Sequence, residues 1–485
     1  MNPSQELLFN QQALDKIGLS ISLFNKALLP TFGPLGSLNI SDEISFIEDL
    51  ESQDPIFSIG RSFALQMMER LAKQCHDGTK TALILLNAIT KNGIDLINKG
   101  ACPFKLLKGM QQAYDKIFKN LGKMKIKNLD FEDIKNLALN FSGSHEIGVN
   151  TASYFYQTKN TQNLFFEHDN TQDEGFENTF GLVINEGYLS PYFCKNKETQ
   201  EIVLFKPFVL IANKKIASIH PLIPILDFIS KNHHSLLILT EGLEGDALSN
   251  LIINTTRGVL DIAVIKLPSL TEDKLSILKQ TQALSMASVV GEQELPFNEL
   301  TPECLGRLRK VILSKNQTIL FQEAPLKTVK PLERNLTVFH LKAPNYQAFE
   351  QKKKLYIKAL KFLENTHQEG LVPGAGMGLV NACSKITHRL RGDEKIGFEL
   401  FQKAAVVPAV TLIENAHENP DEILKKLSCS PSLVFNNLTK NIEESRLSYI
   451  YDSVKVIRLA LLQALETSEK VFLSEALITN KIEKI

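Results

Sequence analysis

The chain has no net charge, because 54 lysines and arginines stand against 54 aspartates and glutamates. That balance removes any whole-chain electrostatic reason to bind nucleic acid or an anionic membrane. Cysteine is sparse: Cys75, Cys102, Cys194, Cys304, Cys383 and Cys429 are scattered without a Cys-x-x-Cys pair, as expected of reduced thiols in a cytoplasm rather than a disulfide framework. Long apolar runs are missing too. The stretch Ile202 to Ala212 is broken by Lys206 and Pro207, and Met1 to Asn10 lacks the basic start and apolar stretch of a secretory signal, so neither a membrane span nor export is expected. There is no His-Glu-x-x-His and no Gly-x-Ser-x-Gly, which leaves metallopeptidase and serine-triad chemistry without a motif, and His233-His234 reads as a surface loop. Solenoid repeats, heptads and low-complexity blocks are absent as well.

What is present is the composition of a folding chain, 44% apolar and 22% charged over 485 residues. That length exceeds one ordinary hydrophobic core, so two or three domains are expected. Apolar spacing predicts a helix over Glu6 to Asn25, carried by Leu7, Leu14, Ile17, Ile21 and Phe24, and the string Thr31 to Gly36 breaks it. Helices are predicted over Phe63 to Cys75 and Thr81 to Asn98, parted by the polar turn His76 to Lys80, and over Phe104 to Leu121, with Pro103 in the first turn. Between Ser144 and Asp173 the pattern weakens and reads as a connector. From Gly181 to Leu341 β-rich runs, such as Glu201 to Ala212, Leu236 to Leu239 and Ile262 to Lys266, alternate with helical stretches. Helical patterns then return over Gln347 to His367, Gly397 to His417 and Asp452 to Leu465. The expected fold class is multidomain α and α/β, with both helical ends building one domain and a mixed module inserted between them.

Four strings, in order along the chain, carry a family resemblance. Thr31-Phe32-Gly33-Pro34-Leu35-Gly36 resembles the phosphate loop of GroEL-type chaperonins, usually Thr-Leu-Gly-Pro-Lys-Gly, and Asp77-Gly78-Thr79-Lys80-Thr81 resembles their second loop, Asp-Gly-Thr-Thr-Thr. Glu186 to Phe193 is similar to the start of the substrate-binding domain, and Glu369 to Gly376 to the glycine-rich return segment. The resemblance implies an equatorial domain from residues 1–124 and 369–485, an intermediate one from 125–179 and 342–368, and an apical one from 180–341.

It also implies two sites. In the apical module the family's client-facing positions fall on Tyr188, Tyr192, Phe193, Ile223, Leu226, Leu248, Ile252 and Ile253, with Asn254 beside them. Apolar burial is non-directional, so such a surface suits non-native polypeptides of many sequences. Ile223 and Leu226 are three apart, and Leu248 and Ile252 four apart, so each pair makes a stripe on a helix; residues at such spacing also serve as ordinary core.

The second site is for ATP and Mg²⁺. Thr31, Gly33 and Pro34 form one phosphate loop in this reading, and Gly78, Thr79 and Thr81 another. Asp77 is the metal ligand, Gly374 and Gly376 belong to the return segment, and Asn436 and Asp452 fall at adenine and ribose. The alternative for Asp77-Gly78-Thr79 is a plain helix N-cap. Counting back from Glu369-Gly370, the family's water-activating aspartate falls on Lys358, which cannot accept a proton while charged. A family Lys-Asp-Gly reads Glu48-Asp49-Leu50, the position after Thr79 is Lys80, and the middle glycine of the return is Ala375. Hydrolysis is therefore expected to be weak or lost, with Lys358 and Lys80 supplying charge that holds nucleotide uncleaved. Asp49 or Glu364 is the substitute base if the machine is active.

For assembly, the family's ring is built through a hairpin, here shortened to Leu38 to Glu48, and the chain ends without the family's Gly-Met tail. A homo-oligomeric ring, co-assembly with an orthodox chaperonin and docking of a co-chaperonin are the partners this implies. A passive folding chaperone, a scaffold or regulatory paralogue, and an ATP-driven foldase remain the alternatives.

Overall fold

A computed structural model describes residues 5–36, 44, 47, 55–127, 129–159, 161, 164–168, 174–194, 200–268, 271–291, 296–297, 300–322, 335–384 and 386–480. The chain divides into two compact units, one from Met1–Thr161 with Leu355–Ile485, the other from Gln162–Lys354. Residues 125–161 and 355–368 pack with the first, and 162–179 and 342–354 with the second.

The first unit is helical because its apolar residues recur at helical steps and meet in one core. In the helix Asn10–Leu28 the buried apolar positions are Ala13, Leu14, Ile17, Ile21, Phe24 and Leu28, and they join residues of Pro55–Cys75, Thr79–Asn98, Pro103–Met124, Gly392–Asn415 and Val454–Phe472. Gln5–Phe9, which takes in the first residues, from Glu6, of the helix read from sequence, is instead a strand, paired antiparallel with Ala476–Asn480. That partner lies at the far end of the chain, and a ladder with it outweighs local apolar spacing. Of the expected hairpin Leu38 to Glu48, Ile44 and Ile47 are helical and Ile47 is buried; the rest lies outside the described residues.

Pro103–Met124 and Gly392–Asn415 cross closely at two glycines. A Cβ on Gly109 would stand 2.0 Å from the Glu394 carbonyl oxygen, and one on Gly397 would stand 2.1 Å from that of Leu106, so no larger residue fits either position. Among the described residues Gly392–Asn415 has the length and apolarity of a membrane span, yet 61% of that stretch is buried within the protein, as befits a core helix. The described part of the expected connector, Ser144 to Asp173, holds the helix His145–Thr158 and the strand Leu164–His168, preceded by Phe131–Ser142, which reciprocal Asp130 and Asp133 bonds close at its start. Ser144, capping the second helix through the Ile147 N–H, starts a helix among residues that read as loop-forming.

Among the described residues the second unit holds two sheets. One runs in the order Leu164–His168, Asn335–Leu341, Gly175–Ile184, Thr318–Gln322, Lys310–Leu313, Ile202–Phe205. The other has the parallel order Asp261–Lys266, Ser235–Leu243, Phe208–Ile216, Val289–Val290, with Gly306–Arg307 added antiparallel. The predicted run Glu201 to Ala212 is thus two strands in different sheets, parted at Lys206-Pro207, because proline cannot continue a ladder. In the parallel sheet Ile223–Lys231 and Gly245–Thr256 are successive crossovers stepping in one direction across the strands, and right-handed crossovers place both on one face.

Candidate functional site

In the first unit eight separate stretches of chain line one cavity of about 520 Å³. Of the residues expected to touch nucleotide, Gly33, Pro34, Asp77, Gly78, Thr81, Gly376, Asn436 and Asp452 line it. Thr31, Thr79 and Gly374 do not. Thr31 is buried with its hydroxyl donating to the Leu28 carbonyl at 2.7 Å, and Gly374 is a packing residue, where a Cβ would stand 2.8 Å from the Tyr451 nitrogen.

Glycine is required at the two loops. Gly33 has φ +88° with Leu412 against it, and Gly78 has φ +82° with Val456 against it; both conformations and both clearances exclude a side chain. Gly78 is also the N-cap of Thr79–Asn98 and makes no side-chain cap bond. Asp77 Oδ1 accepts from the adjacent Gly78 N–H at 2.7 Å. Ala375 takes φ +53° in the return segment, a left-handed conformation that costs an alanine about 1–2 kcal/mol.

Asp452 sits on the short strand Tyr451–Ser453, opposite Val372 of Leu371–Pro373. Burial pushes its carboxyl up to about 6; the Gly376 N–H, 3.2 Å from Oδ2, works against that rise, and the Asp77 charge adds to it. The charged residues lining the cavity, among those described, are these two carboxylates. A cation between them lowers the electrostatic cost of both.

Several residues that build the cavity carried no local signal. Asn415 donates to the carbonyls of Leu29 and Phe32 at 3.1 and 2.9 Å, pinning the first loop to the end of Gly392–Asn415. Asn437, buried, donates to the Leu412 carbonyl at 2.5 Å. Phe141 and Phe362, on different helices, stack with centroids 4.6 Å apart and both line the cavity. Asn140 fastens the helix of Phe141 by donating to the Ser448 carbonyl at 2.6 Å. Only the side-chain types, not their spacing, were visible in the sequence.

Lys358 and Lys80 do not supply the cavity's missing positive charge. Lys358 is exposed on Tyr346–Glu369 and absent from the lining, while Phe362, one turn further on, is part of it. The Lys80 ammonium is turned to the Thr31 carbonyl at 3.0 Å. Asn436 lines the cavity, but its amide donates to Glu443 and its oxygen accepts from the Leu438 N–H at 3.0 Å. Glu364 is also outside the lining. Burial disfavours its charge, but bonds from Lys361 and Thr161 outweigh burial and hold its carboxyl below the usual range. Glu48 and Asp49 lie outside the described residues.

In the second unit the expected client-facing residues divide. Tyr192 is 71% exposed, and Ile223 and Ile253 are exposed at the start of one crossover helix and the end of the other. Tyr188, Leu226, Leu248 and Ile252 are half-buried against the core of the parallel sheet. Asn254 is half-buried and donates to the Asn250 carbonyl at 2.8 Å. Phe193 must be removed from the set: it is 1% exposed, because the tight turn Pro191–Phe193 sends Tyr192 outward and Phe193 into the core.

Comparison with known proteins agrees with this architecture. The model of the TCP-1/cpn60 chaperonin family matches residues 39–481. A relative, Chaperonin GroEL 3 of Protochlamydia amoebophila (strain UWE25), is 27% identical over 524 residues, covering 99% of this chain and 98% of its own.

Proposed function

Since the chain belongs to the TCP-1/cpn60 chaperonin family, we propose that it is a molecular chaperone that captures non-native polypeptides on the exposed apolar face of its second unit and holds Mg²⁺ and ATP in the cavity of its first. Members of the family bind non-native polypeptides, form oligomeric rings and generally bind ATP and Mg²⁺. The observation that carries the nucleotide half is the convergence of Gly33, Pro34, Asp77, Gly78, Thr81, Gly376 and Asp452 on one cavity.

The residues fit the group. A helix start at a glycine, facing a cavity, suits phosphate oxygens through backbone N–H groups. Asp77 is the natural ligand for Mg²⁺, whose preference is for oxygen donors, and Asp452 is placed to accept from sugar hydroxyls. Mg²⁺ supplies charge neutralisation of the phosphates, which the two carboxylates alone cannot. Hydrolysis further needs a base or orienting group for water, and its loss costs about 10²–10⁴-fold in rate. With lysine at position 358 and phenyl rings from Phe141 and Phe362 in the wall, the cavity favours holding nucleotide over cleaving it.

On the second unit, Tyr192, Ile223 and Ile253 offer apolar area to water, with Leu226, Leu248 and Ile252 partly exposed behind them. A client segment burying about 300 Å² there gains roughly 7 kcal/mol before ordering costs. Repetition around a ring adds avidity. The division into equatorial, intermediate and apical domains, a cytoplasmic location, co-chaperonin docking and co-assembly with an orthodox chaperonin belong to the same reading.

The test is suppression of aggregation of an unrelated unfolded protein by the purified chain, alongside its native mass. Suppression by a ring-sized particle is the expected result. Failure to suppress, with the fold intact, favours a scaffold or regulatory paralogue instead.

A further inference from the structure

A separate cavity of about 420 Å³ lies within the second unit. Its floor includes His340, on the strand Asn335–Leu341, with Val338 and Phe321 buried beside it. His340 is 6% exposed, and neither ring nitrogen has a hydrogen-bond partner. Glu167 Oε2 stands 3.8 Å from Nδ1 and Glu177 Oε1 3.6 Å from Nε2, both too far for a hydrogen bond. The sheet fixes this arrangement: His340 is in register with Glu167 on one neighbouring strand, and Glu177 pairs with Val338 on the other.

Both groups nearest the ring are acceptors. Neither ring nitrogen is bonded to the carboxylate it faces, so polar atoms on the ring and on Glu177 are left for an occupant to meet. An ammonium between Nε2 and Glu177 donates to both the ring and the carboxylate on that side. The two nitrogens face different carboxylates, so the set does not converge on a metal ion, and no metal-holding group occurs among the described residues.

The remaining wall has the opposite charge. Lys310 is paired with Glu167, whereas Lys206 and Arg309 are exposed at the rim and line the same cavity. Phe205, 69% exposed, adds an apolar surface. We infer that this cavity binds a small zwitterion of the α-amino-acid class. Its ammonium lies against Glu177 and His340, its carboxylate against Arg309 and Lys206, and an apolar side chain against Phe205. The volume falls in the range of small-ligand pockets. The inference uses neither the nucleotide cavity nor the client face, so it stands or falls apart from them.

Calorimetric titration of the full chain with leucine, N-acetyl-leucine, leucinamide and inorganic phosphate tests it. Leucine is expected to bind, with N-acetyl-leucine and leucinamide each weaker by about tenfold or more, since each lacks one charge. His340→Gln and Glu177→Gln are each expected to weaken leucine by a similar factor. Glu177 is half-exposed, so its variant keeps the fold even if the histidine variant does not. Phosphate or N-acetyl-leucine binding as tightly as leucine would overturn the proposal in favour of a plain anion site. Absence of leucine binding, or an unchanged affinity in Glu177→Gln, would show that the cavity holds only water.

Discussion

The cavity of the first unit and the outer face of the second are built in opposite ways. The cavity is concave, fixed by backbone, and carries its charge on Asp77 and Asp452; the face is built from side chains such as Tyr192, Ile223 and Ile253 that project from a packed sheet. A ligand with one shape and fixed charge requires glycine loops held to a few tenths of an ångström. A partner of no fixed sequence requires area and little else. Substitutions in the first region therefore act through geometry and charge, and in the second through burial, and this difference can be broken experimentally.

The largest effect is expected inside the second region rather than on its surface. Phe193→Ala empties a buried ring position and should cost about 3–5 kcal/mol of stability in denaturant unfolding of that unit, whereas its neighbour Tyr192 is free of that constraint. Next is Asp452→Asn. The folded carboxyl is pushed up to about 6 from an ordinary value of 3.8, so between those values the native state binds the extra proton and stability falls as pH rises. The penalty is complete above pH 6 and relieved below about pH 4, and the asparagine variant should be more stable by up to about 3 kcal/mol above pH 6 and show no gain at low pH. Unfolding midpoints across pH measure this directly; a gain that persists in acid would mean the carboxylate's charge is not the cause.

Asp77→Ala follows, with Mg²⁺-nucleotide affinity expected to fall about 100-fold in equilibrium binding, equivalent to roughly 2.7 kcal/mol. The smallest change is expected for Tyr192→Glu, about a tenfold loss of affinity for an unfolded client with no change in unfolding midpoint. If Tyr192→Glu instead unfolded the protein while Phe193→Ala did not, the inside and outside of that turn would have been exchanged.

The two regions were also unequally legible in the sequence. Gly33, Gly78 and Gly376 announce themselves because their positive φ admits little else, and the ordered helical, mixed, helical pattern gave the architecture. Asn415, Asn437, Phe141 and Phe362 gave no signal, since each acts on a segment far away in sequence and is an ordinary residue in its own helix or turn. Phe193 was misread for a related reason: in a three-residue turn no periodicity separates the inward ring from the outward one. Gln5–Phe9 was misread because its partner strand is at the other end of the chain.

A cavity that holds nucleotide without consuming it is the central proposal for this protein. Binding of labelled ATP in the presence of Mg²⁺, with phosphate release followed in the same sample, tests this directly. Saturable binding that Asp77→Ala abolishes, with release near background, is the expected result. Sustained turnover well above background, or no binding at all, would contradict it.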